Sequence, residues 1–225
     1  MKTPIAAQSG DARDSERGFS LIELVLYIVF SSAILLLAAG MFASAFNART
    51  QVLALTTAAS EGQLISRSVE EGVRNAAGPA GSTGPAEFGV YAELPTADGS
   101  QIMRARVALG DSSGAITWQC QAWYYSSSTT SIFFTRNALG AVPDPGGFTE
   151  TSPGSYAADD GSANWVLLSD HVRLPATTGQ FFGAAGGRVV LNFEITNDDV
   201  SLVLIPNTVV TRKPAIVGSG PNSCY

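Results

Sequence analysis

Hydrophobic and polar residues follow two helical patterns over the first third of the chain. Residues 24–46 are uncharged and largely apolar, and at about 1.5 Å per residue this run can cross the roughly 30 Å hydrocarbon core of a membrane. Residues 47–77 lack proline, and their apolar positions recur at steps of three and four, which predicts an amphipathic helix. Its predicted apolar face consists of Leu55, Ala58, Gly62, Ile65, Val69, Val73 and Ala76. Gly78 and Pro79 are expected to end one helix covering residues 19–77.

The period changes to two after a Gly-, Pro- and Ser-rich connector at residues 79–85, and this alternation predicts half-buried strands. The predicted strands cover residues 103–109, 116–124, 132–135, 165–168, 188–195 and 200–205, with a turn at 197–199 and a short edge strand at 208–211. Residues 137–163 are rich in Gly, Pro, Asp and Ser and are expected to form a long loop. Several strands after one helix favour an α+β fold, in which the long helix packs on an antiparallel sheet domain.

The net charge of the chain argues against nucleic acid as a partner. There are 13 Lys and Arg residues against 19 Asp and Glu residues, for a net charge of -6 at pH 7. Because binding to a phosphate backbone needs clustered basic residues, direct electrostatic contact with nucleic acid is not expected. Two local basic pairs, Arg104 with Arg106 and Arg212 with Lys213, are interpreted as solvated strand faces.

Two cysteines, Cys120 and Cys224, both follow the apolar run. An even count in an oxidising compartment favours a disulfide, and two unpaired thiols are the alternative. The bond would close a loop of about 104 residues and stabilise the fold by roughly 4 kcal/mol. Two cysteines and the single His171 cannot fill a tetrahedral zinc site without carboxylates, so neither a metal nor another cofactor is expected.

Catalytic chemistry is not indicated, and the chain is not expected to be an enzyme. Asp170 precedes His171, but adjacent residues of a strand point to opposite faces, and no nucleophile motif accompanies them. The Gly-rich residues 183–187 precede a strand and are interpreted as a turn, not as a phosphate-binding loop. An aromatic group on two neighbouring strands is interpreted as core packing, with a partner-binding face as the alternative. Its members are Trp118, Trp123, Tyr124, Tyr125, Phe133 and Phe134.

The residues directly before the apolar run carry the most specific signal. They read Gly18, Phe19, Ser20, Leu21, Ile22 and Glu23. A carboxylate in a membrane helix costs roughly 2 to 3 kcal/mol toward the helix centre and less near its end, so a helix that only anchored a domain would do better without Glu23. The hexapeptide resembles the processing site of type IV prepilins and type II secretion pseudopilins. That resemblance implies cleavage by a prepilin peptidase between Gly18 and Phe19, N-methylation of Phe19 and a role of Glu23 in filament assembly.

The resemblance also implies an organisation of the chain. Residues 1–18 would be a cytoplasmic leader that is removed, 19–46 a transmembrane half-helix, 47–77 an amphipathic half-helix packed on the domain, and 78–225 an extracytoplasmic β-rich domain. A secretory signal would instead place its apolar segment before the cleavage site. The basic residues Lys2, Arg13 and Arg17 favour a cytoplasmic N-terminus.

The chain is large for a major pilin, and it looks more like a minor pilin that primes or tips a type IV pilus, a DNA-uptake pilus included. Two alternatives stay open: a J-type pseudopilin of type II secretion, and a single-pass anchored ectodomain unrelated to filaments. The resemblance implies a prepilin peptidase, other pilin subunits bound through the N-terminal helix, an inner-membrane assembly platform and membrane lipid as partners. The expected location is the cytoplasmic membrane before assembly and an extracellular filament afterwards.

Overall fold

The computed structural model describes residues 20–79, 87–110, 116–137, 140–159, 164–175, 179–197, 200–212 and 224. Within these residues the chain forms one long α-helix, α1 (Leu21–Arg74), followed by eleven strands. The strands are β1 (Val90–Ala92), β2 (Gln101–Gly110), β3 (Ile116–Ser126), β4 (Ser131–Asn137), β5 (Phe148–Ser152), β6 (Ser155–Ala158), β7 (Asn164–Ser169), β8 (Val172–Arg173), β9 (Phe182–Ala185), β10 (Arg188–Asn197) and β11 (Val200–Val210). The chain divides into two compact units, Met1–Thr50 and Gln51–Tyr225. The predicted α+β class is confirmed.

The described strands form two antiparallel sheets. Seven of them build one sheet in the order β1-β2-β3-β4-β7-β6-β5. The others build a second sheet in the order β11-β10-β8, in which β9 also pairs with β10. Buried Gln101 links the two sheets, because its amide oxygen accepts hydrogen bonds from the backbone of Phe181 and Phe182 and its amide nitrogen donates to the Phe182 carbonyl.

The inner core lies between α1 and the two sheets of the second unit. The helix buries Ala58, Gly62, Ile65, Val69, Gly72 and Val73, which includes most of the predicted apolar face. Leu55 belongs to the predicted face but is 44% exposed. Across from the helix, the seven-stranded sheet contributes Met103, Trp123 and Tyr125, and the second sheet contributes Leu191 and Phe193. The apolar stripe of the helix and the inward-facing side chains of the strands therefore pack against each other in one core.

The opposite, outer face of the seven-stranded sheet carries a second core. Ala122, Phe133 and Trp165 lie on this face, and Val142 from the loop after β4 packs against them. The loop and residue 224 thus give this face an apolar cover, so both faces of the sheet are buried over much of its area. Such two-sided burial explains why β2 and β3 contain almost continuous runs of buried residues.

Several elements differ from the sequence prediction. The interpretation of residues 183–187 as a turn is wrong for residues 183–185, which belong to β9 and pair with β10. The helix ends at Arg74, three residues before the predicted end, because the next residues pair with β2 through hydrogen bonds from Ala77 N to Arg106 O (3.1 Å) and from Ala108 N to Asn75 O (2.9 Å). The predicted loop at 137–163 contains β5 and β6, whose residues lack a buried alternation. The predicted strands 200–205 and 208–211 are one strand, β11, which tolerates Pro206 because it lies at a sheet edge.

Gly72 is required where α1 crosses the ring of Trp123. A Cβ at this position would overlap the Trp123 ring, which is held in place by a hydrogen bond from its Nε1 to Ser68 Oγ (2.8 Å). We expect Gly72→Ala to lower the free energy of unfolding by about 1–3 kcal/mol. Chemical unfolding of the full chain in detergent micelles, followed by tryptophan fluorescence, measures this. Gly110→Ala is the control, because a Cβ there meets nothing within 4 Å. Equal stability of both variants would contradict the close contact.

Candidate functional site

The N-terminal part of α1 is the candidate membrane and assembly segment. Among the described residues, α1 is the one helix long and apolar enough to cross a membrane. Its apolar side chains have no cover within the first unit: Leu21 is 80% exposed and Leu36 is 74% exposed. So large an exposed apolar surface needs lipid or other apolar helices around it. The chain therefore carries one candidate single-pass membrane anchor near its N-terminus.

Glu23 lies in the first turn of this segment, where α1 begins. Its backbone amide donates a hydrogen bond to the carbonyl of Ser20 (2.9 Å), and its side chain is exposed. A carboxylate in the first turn is compatible with the positive end of the helix dipole. Gly18 and Phe19, the predicted cleavage and methylation residues, lie outside the described residues. The structure thus places Glu23 at the start of the apolar surface.

The predicted disulfide between Cys120 and Cys224 is present in the structure. The two Cα atoms lie 5.4 Å apart, and both residues are fully buried. The carbonyl of Cys224 also accepts a hydrogen bond from the amide of Val142 (3.4 Å). The bond therefore holds residue 224 against the outer face of β3, beside the loop that covers the second core.

The interpretation of Arg104 and Arg106 as a solvated strand face is wrong. Both residues are 5% exposed, because the outer face of β2 is covered. Arg104 forms an ion pair with Glu93 and donates to the carbonyl of Val142. Arg106 donates to the carbonyl of Ala77 (3.1 Å), and its guanidinium lies 4.0 Å from the centre of a tryptophan ring. These guanidinium groups are engaged in internal contacts and do not form a basic surface.

The prediction that Asp170 and His171 point to opposite faces is also wrong. The two residues lie in a bend between β7 and β8, not within a strand, and His171 Nδ1 is 2.8 Å from Asp170 Oδ1. Glu61 of α1 approaches the same nitrogen to 3.7 Å and accepts a hydrogen bond from Ser169 Oγ (2.8 Å). The Ser169 hydroxyl therefore donates to a carboxylate and not to the imidazole.

This polar group links α1 to the β7–β8 bend, and sequence reasoning missed Glu61 as its third member. The only signal in the sequence is that Glu61 directly precedes Gly62, a residue of the predicted apolar face. This position does not indicate that Glu61 contacts Ser169, 108 residues further along the chain. No group of three or more His, Cys, Asp or Glu side chains within the described part of the chain could hold a metal ion.

The aromatic group divides between the two faces of the sheet. Trp123 and Phe134 are in contact on the inner face, with ring centroids 5.4 Å apart. Tyr124 and Phe133 are paired across β3 and β4 and lie on the outer face. Core packing therefore accounts for the inner members. The outer members border a cavity that the sequence did not indicate.

Neither a protein-family model nor a curated protein nor a solved structure matches this chain. The architecture itself is pilin-like: a long N-terminal helix is apolar and exposed in its first half, and its second half packs on an antiparallel sheet domain.

Proposed function

We propose that this chain is a structural subunit of a type IV pilus, a minor pilin that primes or tips the filament after cleavage between Gly18 and Phe19. One observation carries the proposal: the Gly18–Glu23 hexapeptide runs into the start of a helix whose first half exposes its apolar residues on all sides. In this function the exposed surface is covered by lipid before assembly and by the helices of neighbouring subunits afterwards. The disulfide-bonded domain faces outward, and the chain performs no catalysis.

Glu23 has a specific part in this function. Once helices leave the bilayer and pack together, each carboxylate needs a cation, and the N-methylated amine of Phe19 from a neighbouring subunit supplies one. Methylation of an amine leaves it positively charged. Breaking a buried ion pair by removing one partner typically costs about 3–5 kcal/mol, because the remaining charge is left unpaired. Removal of Glu23 should therefore impair assembly without affecting insertion.

The test compares membrane and sheared-filament pools from cells that express the native assembly system. We expect wild-type protein in both pools, beginning at N-methyl-Phe19 by N-terminal peptide mass analysis. Glu23→Gln should reach the membrane at the wild-type level and be depleted at least tenfold from filaments. Glu71→Gln is the matched control, since Glu71 is an exposed carboxylate on the part of α1 that belongs to the second unit.

The possible outcomes of this test distinguish a pilin from an anchored ectodomain and from a pseudopilin. Equal incorporation of Glu23→Gln and wild type at equal expression would reject the pairing role of Glu23. Absence of the chain from filaments, together with an uncleaved N-terminus, would indicate an anchored ectodomain. Cleaved protein that is retained with secretion components, and never found in a pilus, would indicate a pseudopilin.

A further inference from the structure

A cavity of about 370 Å³ opens on the outer face of the seven-stranded sheet, beside the turn that joins β3 to β4. This volume falls in the range of about 300–1,000 Å³ that is typical of small-ligand sites. The cavity is bordered by the ends of β3 and β4, by β6 and β7, and by the start of β5. It is separate from the membrane segment, it shares Asp170 with the polar group around His171, and nothing in the proposed filament function requires it.

Aromatic rings form the apolar part of this cavity. Phe133 and Phe148 stack with centroids 4.0 Å apart, and Tyr156 meets both rings edge-on. Tyr124 meets Phe148 edge-on at 5.5 Å. Each ring is thus held by others, so the apolar surface is preorganised before a ligand binds. Preorganised surfaces bind more tightly because less conformational freedom is lost on binding.

Hydroxyl groups form the polar part. Ser126 and Ser131 are 6% and 4% exposed; they are the last residue of β3 and the first residue of β4, on either side of the turn. Ser126 Oγ lies 3.1 Å from Ser128 Oγ, and Ser131 Oγ donates to the carbonyl of Thr129 (2.8 Å). Because a hydroxyl has one donor and two acceptor positions, this wall can both donate to and accept from a ligand.

The Tyr124 hydroxyl adds a donor on the same side. Burial raises the pKa of this phenol above its ordinary value, and the Ser100 hydroxyl opposes part of the rise. The phenol therefore stays protonated at neutral pH and keeps its O–H. The neighbouring turn is held in a strained form, since Thr130 adopts a φ of 51°, which is rare for a β-branched residue.

The charges at the cavity limit what it can bind. Among the described residues that line it, the charged ones are Asp98 and Asp170, and no Lys or Arg is present. Hydrogen bonds from Thr96 and Ser100 lower the pKa of Asp98, so this carboxylate is ionised at neutral pH. Phosphates, sulfates and carboxylated ligands would be repelled by Asp98, and no Lys or Arg in the lining offsets this repulsion. The ligand is therefore neutral or cationic.

A quaternary ammonium would suit the aromatic rings and carboxylates, but it has no hydrogen-bonding atoms. The remaining hydrogen-bonding positions of the serine and tyrosine hydroxyls would then lose water without gaining a partner, which is unfavourable. A pyranose ring satisfies both parts of the cavity: its C–H groups pack on the aromatic surface, and its hydroxyls donate to the carboxylates and pair with the serine and tyrosine hydroxyls. We propose that this cavity binds a neutral pyranose unit of a glycan.

The test uses the full chain in micelles of a polyoxyethylene-ether detergent, because glycoside detergents would compete. The probes are the methyl glycosides of glucose, galactose, mannose and N-acetylglucosamine, examined by saturation-transfer NMR and by titration. We expect at least one glycoside to receive saturation through its ring C–H protons. The double variant Tyr124→Phe and Ser128→Ala should weaken its binding at least tenfold, since it removes hydrogen-bonding groups and leaves the rings in place.

Controls make the result specific. Tyr91→Phe removes a phenol that lies outside the cavity, and it should leave binding unchanged. Choline and sialic acid test the cationic and anionic alternatives. The proposal is overturned if no glycoside binds, or if choline binds in place of every glycoside. It is also overturned if sialic acid competes with the glycosides for the site, or if Tyr91→Phe weakens binding as much as the double variant. Because purified protein is used, none of these outcomes depends on filament assembly.

Discussion

Replacing both Cys120 and Cys224 by serine should lower the free energy of unfolding by about 4 kcal/mol. The bond joins residues with a sequence separation of 104, so its loss releases a long loop in the unfolded chain. Its loss also frees residue 224 from the cover of the second core, where both cysteines are fully buried. Equilibrium unfolding of the full chain in micelles, under non-reducing conditions, measures the difference.

Two comparisons isolate the effect of the bond from that of the mutated side chains. Wild-type protein unfolded with a reductant should match the double variant to within about 1 kcal/mol. Ser223→Ala, next to Cys224 in the sequence, should leave stability unchanged. A loss of less than 1 kcal/mol in the double variant would show that residue 224 contributes little to the second core.

Replacing Gly18 by leucine should leave the full-length precursor in the membrane, with essentially no mature protein. The expectation follows from the proposed cleavage after Gly18. A residue without a Cβ lets the backbone lie extended and close to the peptidase, and a branched side chain prevents that approach. Immunoblotting of membranes, combined with N-terminal peptide mass analysis, distinguishes a Met1 start from a Phe19 start.

Gly10→Leu provides the matched control, because it makes the same change in the proposed leader, away from the proposed cleavage site. It should be processed at the wild-type level. Normal processing of Gly18→Leu would remove the basis for the proposed cleavage site. An intact Met1 start in wild-type cells with an active peptidase would remove the pilin proposal as well.

Local patterns were sufficient to predict the helix and the alternating strands. Ile65, Val69 and Val73 recur at steps of four, so one stripe of α1 had to be buried, and the structure buries it. Met103, Ala105 and Val107 alternate along β2 and reach the inner core as a set. Both outcomes depend on side-chain direction within one element, which the backbone geometry determines without reference to partners.

Strands that pair without an apolar pattern could not be predicted in this way. Residues of β5 are mostly exposed, and its position comes from pairing with β6, which itself pairs with β7. These hydrogen bonds use the backbone N–H and C=O groups, which every residue except proline has in full. A Gly- and Ser-rich sequence therefore gives the same local signal whether it forms a loop or an edge strand.

Residue type and spacing along the chain were enough to predict the α+β class and the apolar N-terminal helix with Glu23 at its start, and the two cysteines could be counted directly. Three features became visible only in the fold: Arg104 and Arg106 are buried, Glu61 approaches His171, and a cavity lined by hydroxyls and aromatic rings lies beside Tyr124. Each of these depends on which segment covers a given face. That choice is made by contacts between residues far apart in sequence, whose identity no local pattern encodes.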